Sequence, residues 1–144
     1  MTSILFVCHG NICRSPMAQF VMQDLVDKAH LGGRFHIESA AVSSEEIGNP
    51  VYPPARQILA EHGISCRGKR ARRIEIEDYY DFDLIVAMDR SNMKRLERIL
   101  PSMDKCRVLL ERDVADPWYT GDFEATMKDV EQGCAALLKE VMDD

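Results

Sequence analysis

Nowhere in the chain do apolar residues run for the ~18 to 20 positions that a bilayer crossing demands. Met1 to Val7 also lacks the basic start and small-residue cleavage site of an export leader. A cytoplasmic protein with no membrane partner is the expectation. Basic residues are in the minority, 18 against 24 acidic ones, for a formal net charge of -6. The overall field therefore repels polyanions, which excludes nucleic acid as a general partner. The five cysteines are odd in number and irregular in spacing, which excludes a disulfide framework and fits free, reactive thiols in a reducing compartment. His30, His36 and His62 share no metal-binding spacing, so neither metal nor cofactor is expected. Internal repeats, low-complexity tracts and linkers are missing too, and 144 residues suit one domain around one core. A single domain over 1–144 follows, with a monomer the expectation.

What is present alternates strand with helix. Ile4 to Val7 is a short unbroken apolar run, the mark of a strand covered on both faces, and it leads straight into Cys8. After a loop from Cys8 to Ser15, Pro16 suits the first helical position with Ser15 as cap, and an apolar stripe continues to Lys28. Strands are expected over 35–41, 84–88 and 106–110, and helices over 54–62 and 89–100. A final amphipathic helix carries Phe123, Met127, Val130, Cys134, Leu137 and Val141 on one face. The pattern predicts an α/β fold: a four-stranded, mostly parallel sheet flanked by helices on both faces, a flavodoxin-like three-layer arrangement. In such a sheet the segments after each strand gather at one rim, here Cys8 to Ser15, Ser43 to Asn49, Asp89, and Asp113 to Tyr119.

Cys8-His9-Gly10-Asn11-Ile12-Cys13-Arg14-Ser15 places a thiol and a guanidinium in a turn that opens a helix. A loop over a helix start turns its amides inward and makes an anion nest, reinforced by the helix dipole. Arg14 adds a planar fork for two phosphate oxygens. Gly10 permits the backbone geometry of the nest, and Asn11 braces it. The same fields favour a thiolate at Cys8, and Ser15 is placed to donate its hydroxyl to that sulfur. A thiolate attacking a phosphate monoester needs an acid for the departing oxygen. Asp116, stiffened by Pro117 and facing the thiolate and bound phosphate, is the candidate, with a raised pKa expected. Trp118 and Tyr119 offer an aromatic wall. Alone, Asp116 reads as an ordinary turn residue and Trp118 as core; beside Cys8 and Arg14 the catalytic reading gains.

The run from Val7 to Pro16 closely resembles the active-site signature of the low-molecular-weight protein tyrosine phosphatases, and Asp116-Pro117-Trp118-Tyr119 resembles their general-acid loop. The likeness extends through Glu38-Ser39-Ala40, Gly48-Asn49-Pro50, Met88 to Asn92 and the last helix. It implies Cys8 as nucleophile, Arg14 as phosphate and transition-state binder, and Asp116 as acid and then base, without metal. It implies that Asn11, Ser15 and Ser39 brace the loop, and that His9, Gly10, Ile12 and Cys13 complete it. It also implies tyrosine-phosphorylated proteins or peptides as partners, with inorganic phosphate and oxyanions as inhibitors. In the family the counterpart of Cys13 forms a reversible protective disulfide with the nucleophile.

Four positions depart from the pattern. Glu45 stands where many relatives carry an aromatic residue, Tyr52 and Pro54 replace an Asp and an Arg, and Lys69 replaces a His of the loop network. Glu45 and Tyr52 are thus read as cleft residues, Tyr52 restoring aromatic surface. The basic run Arg67 to Arg73, with five cations in seven residues, reads as solvated loop surface. A thiol-dependent arsenate reductase is the competing enzyme, but Cys66, Cys106 and Cys134 are isolated in the sequence and Asp116 has no use there. A silent phosphate-binding module is the third reading; no residue of the catalytic set is missing.

Overall fold

The computed structural model describes residues 1–143. Strand β1 (Thr2–Cys8) lies at the centre of a four-stranded sheet in the order β2-β1-β3-β4, with β2 Phe35–Ala41, β3 Leu84–Ala87 and β4 Cys106–Val108. Every pairing is parallel, where the sequence pattern required only a mostly parallel sheet. The helices are α1 (Arg14–Lys28), α2 (Pro53–Glu61), α3 (Ile76–Asp81), α4 (Arg90–Ile99), α5 (Pro117–Thr120) and α6 (Phe123–Asp143).

The unbroken apolar run of β1 makes sense because both of its faces are covered. Ile4, Phe6 and Cys8 join a core with Met17, Val21, Leu59, Val130 and Leu137 from α1, α2 and α6. Leu5 and Val7 face the opposite way, into a core with Ile85, Phe82, Leu96 and Leu100 beneath α3 and α4. Alternate side chains of one strand thus anchor two helical layers. The chain moves toward β2 after β1 and toward β4 after β3. The crevice between the carboxyl ends of β1 and β3 is therefore the switch point of the sheet, where ligands of open α/β sheets bind.

Several boundaries differ from the sequence expectation. Helix α1 begins at Arg14, with Cys13 at the cap position and no side-chain cap. Ser15 cannot cap it because it is the second residue within the helix, and its hydroxyl serves Cys8 and Asn11 instead. The strands expected over 84–88 and 106–110 end at Ala87 and Val108. The short helices α3 and α5 were not anticipated. Each is set by its cap: Glu75 and Asp78 form a reciprocal capping box, and Asp116 accepts from the Trp118 amide with Pro117 at the first position.

Candidate active site

The loop after β1 is almost entirely withdrawn from solvent: residues 11–18 are all buried. Its sharpest bend falls on Asn11, at φ 60°, rather than on Gly10. Asparagine tolerates the left-handed region because its short amide can bond to nearby groups. Gly10 is instead a matter of space, since a Cβ there would sit 3.2 Å from Glu46 Cγ.

Asn11 is the hub of a buried polar network. The Arg72 amide donates to its Oδ1 at 3.2 Å, which orients the side-chain amide, and its Nδ2 then donates to Ser15 Oγ at 2.8 Å and Ser39 Oγ at 2.9 Å. Ser39 passes its own hydrogen to Gln19 Oε1 at 2.5 Å. Ser15 Oγ, having accepted from Asn11, is free to donate to Cys8 Sγ at 3.0 Å, and the Asn11 amide reaches the same sulfur at 3.3 Å. Two donors therefore converge on the sulfur of a residue only 3% exposed. Behind them, Lys69 Nζ donates to the Ser39 carbonyl at 2.8 Å. Burial, reinforced by neighbouring Arg72, brings the Lys69 ammonium down to about 8. Arg72 itself grips both oxygens of Asp78 and reaches Glu38.

The basic run thus divides. Arg67, Arg70 and Arg73 are exposed as expected, while Lys69 and Arg72 are half-buried braces of the loop, which corrects the reading of the whole run as solvated surface. Lys69 finds its partner at Ser39, far away in sequence, whereas Arg72 joins distant Glu38 to Asp78 six residues on.

Arg14, at 4% exposure, is fixed from the other side of the crevice. Its Nη1 donates to Asp89 Oδ2 at 2.8 Å and to the Val114 carbonyl at 3.2 Å, and its Nη2 to Asp116 Oδ2 at 3.3 Å. Burial works against the guanidinium charge, but Cys8, Asp116 and Asp89 outweigh it and hold Arg14 above its ordinary pKa. Of five guanidinium hydrogens, Nε–H and one on Nη2 remain uncommitted among the described residues. No buried side-chain nitrogen or oxygen among those residues lacks a partner, so the Nε edge opens on the cleft. The amides of Gly10, Ile12, Cys13 and Arg14 likewise donate to no protein acceptor among the described residues. These groups form an anion cradle around the Cys8 sulfur.

Asp116 hangs over this cradle from α5, one oxygen capping the Trp118 amide at 3.1 Å and the other on Arg14. Its loop is tethered to α6. Arg112 grips both oxygens of Asp129, the Ala115 amide donates to Asp129 at 3.1 Å, and Thr126 donates to the Ala115 carbonyl at 2.9 Å. The Arg112 bonds hold the Asp129 carboxyl below its usual value.

The cleft above measures about 580 Å³ and is lined by His9, Gly10, Ile12, Cys13, Arg14, Glu45, Glu46, Asp116, Trp118 and Tyr119, with Asp89, Ser91, Asn92 and Arg95 from the α4 side. Glu45 is bound to His9 at 2.9 Å, so that wall is charged where an aromatic was the alternative. Tyr52 does not line the cleft, contrary to expectation. It stands behind Trp118, ring centroids 5.1 Å apart, and over Phe123 at 6.2 Å, because its amide is drawn to the Ile12 carbonyl. Glu46 and Arg95 lie in the cleft unannounced by any motif; only the four-residue step from Ser91 to Arg95 on a helix could have indicated the latter. Burial, reinforced by neighbouring Cys8 and Asp116, pushes the Cys13 thiol up to about 12.

The sequence profile described as low molecular weight phosphotyrosine protein phosphatase matches residues 3–144. The chain belongs to that family. Low molecular weight protein-tyrosine-phosphatase YfkJ of Bacillus subtilis is 39% identical over 98% of this chain and 96% of its own length. The crystal structure of YfkJ superposes with a TM-score of 0.96 at 39% identity, over 99% of this chain and 96% of that one. The low molecular weight phosphotyrosine protein phosphatase of Sus scrofa is 38% identical over 96% of this chain and 95% of its own length. A Drosophila arginine phosphatase shares the fold at 31% identity and TM-score 0.87, covering 98% of each chain. Membership of this family of phosphatases therefore leaves the phosphorylated side chain to be argued from the cleft. No helix among the described residues is long and apolar enough to cross a membrane.

Proposed function

We propose that residues 1–144 form one catalytic domain that hydrolyses phosphotyrosine in proteins and peptides, and small aryl phosphates, through a cysteinyl-phosphate. The carrying observation is the meeting, at one sulfur, of four uncommitted amides, the open edge of Arg14 and the carboxyl of Asp116. The amides and the Arg14 edge hold the nonbridging oxygens of the phosphoryl group. Cys8 Sγ attacks phosphorus as the ester oxygen leaves, and Asp116 gives that oxygen its proton. Charge spreading onto the equatorial oxygens in the transition state meets donors already in place. Asp116, now ionised, takes a proton from water, which attacks phosphorus and displaces the Cys8 thiolate. Ser15 and the Asn11 amide receive the departing sulfur as hydrogen-bond donors.

Trp118, backed by Tyr52, and Tyr119 offer stacking surface to a flat aryl ring. Localisation in the cytoplasm and monomeric action belong to the same proposal. So does a regulatory Cys8–Cys13 disulfide: both are free thiols, and with a peroxide as two-electron oxidant Cys8 becomes a sulfenic acid from which Cys13 displaces water, slowly because of its raised pKa. The deciding experiment compares phosphotyrosine and phosphoarginine peptides with an aryl phosphate in metal-free buffer. Hydrolysis of the aryl phosphate and phosphotyrosine, lost in Cys8→Ser, is the expected result. Preference for phosphoarginine, metal dependence, or activity surviving Cys8→Ser would overturn it.

A further inference from the structure

The sheet order puts opposite charges on opposite banks of the cleft. The segment after β2 lies on one side of the Cys8 loop, stitched to it by bonds from the Val42 and Ser43 amides to the Cys8 and His9 carbonyls. That bank presents Glu45 and Glu46. Helix α4, entered from β3, lies on the other side and is joined to the loop through Asp89 and Arg14. That bank presents Ser91 and, one turn further along, Arg95. The charge does not stop at the rim. Arg90, Lys94, Arg95 and Arg98 occupy α4 against a single acid, Glu97. All four are exposed, and none forms an ion pair among the described residues, in a protein of net charge -6. Positions 94 and 98 are four apart, so Lys94 and Arg98 form one stripe leading away from Arg95.

We infer that this cleft reads the charge beside its phosphotyrosine from one side only: Arg95 and the α4 stripe accept acidic flanking residues, and Glu45 and Glu46 repel them on the opposite side. The inference rests on the phosphotyrosine reading above and names the substrate class within it. A peptide crossing the cleft lays its two flanks on different banks, so acid before the phosphotyrosine and acid after it cannot be equivalent. An exposed ion pair of this kind changes a rate constant up to about fivefold and fades with added salt.

Three phosphotyrosine peptides test it: one with two glutamates before the phosphotyrosine, one with two after it, and one with glutamines at all four positions. The readout is kcat/KM for each, divided by that of an aryl phosphate with the same enzyme. One acidic isomer is expected to exceed the glutamine peptide by about threefold to tenfold and the other to fall below it. In Arg95→Glu the favoured isomer should drop to the glutamine level or lower, and in Glu45→Gln/Glu46→Gln the disfavoured isomer should rise. With the unaltered enzyme, 0.5 M salt should bring the three peptides together, a check that needs no variant to fold. Equal turnover of the two acidic isomers, or a preference that survives Arg95→Glu, overturns the inference alone. Failure to hydrolyse the aryl phosphate and the glutamine peptide overturns the phosphatase reading, and this one with it.

Discussion

The loop that surrounds Cys8 and the loop that carries Asp116 meet within one cleft but are held in opposite ways. Residues 11–18 are all buried and are braced from β2 by the buried Ser39 hydroxyl and from the segment beyond by the Arg72 amide. Residues 118–122 are all exposed, and the loop before them is held by Asp129 and Thr126 of α6 together with bonds from Arg14 to Val114 and Asp116 and from the Val114 amide to Met88. The anion cradle is preorganised, which is what transition-state stabilisation requires. The proton donor stands at the solvent edge of that network, which suits a group that must approach the departing oxygen and then water. Binding and proton transfer share one support, Arg14, and otherwise rest on different elements.

The largest effect should come from removing the two reacting groups. Cys8→Ser is expected to lower turnover by at least about 10³-fold while inorganic phosphate or vanadate still binds, measured by titration against the intact protein. Asp116→Asn should slow substrates with poor leaving groups by about 10²- to 10³-fold and good ones far less, read as a steeper dependence of kcat on leaving-group pKa. Equal losses for all leaving groups would dissolve the distinction between cradle and donor.

Next in size is the hub of the rigid loop. Asn11→Ala strands two buried hydroxyls and the Arg72 amide and places alanine at φ 60°; a loss of about 3 kcal/mol in denaturant unfolding is expected, with both phosphate affinity and kcat falling. Asn11→Gly keeps the backbone conformation without the bonds, so any recovery measures the strain alone. On the other loop, Asp129→Ala should lower kcat about tenfold with phosphate affinity nearly unchanged, the signature of a positioning residue. Because Arg112 lowers the Asp129 pKa, the stabilising tie is present in full above its ordinary value of 3.8 and is lost as pH falls through the lower folded value. Thermal unfolding of wild type and Asp129→Ala should converge below that point.

The smallest effect belongs to Lys69. Its ammonium titrates near 8 when folded against 10.5 ordinarily, so between those pH values the unfolded chain holds a proton the folded one has released. Stability should rise with pH across that window relative to Lys69→Met, observable as a diverging Tm. A flat difference would remove Lys69 from the loop's support.

How far such features can be read from a linear chain depends on where their partners lie. The β1 run, the turn into α1 and the final helix were legible because periodicity and neighbouring residues dictate them. The bracing roles of Lys69 and Arg72 were less so: Lys69 reaches the Ser39 carbonyl and the Arg72 amide reaches Asn11, both far off in sequence, and a cluster of cations looks like surface until a strand is laid beside it. Tyr52 was assigned to the cleft because its ring could supply aromatic surface there, yet a backbone bond to Ile12 sets it behind Trp118. Helix α3, six residues long, is too short to show a period, although its Glu75 and Asp78 box was written in plain sight. Arg95 required knowing which bank of the crevice receives α4, a fact of strand order rather than of spacing.

The four-residue helix that bears Asp116 ends at Gly121, whose left-handed backbone at φ 71° turns the chain directly into α6. Bounded by that hinge and by the clasp at Asp129, the segment is a cassette. Arg14 joins that cassette to the anion cradle through Val114 and Asp116, so an exchanged segment has to preserve both contacts for proton delivery and oxyanion capture to stay in register.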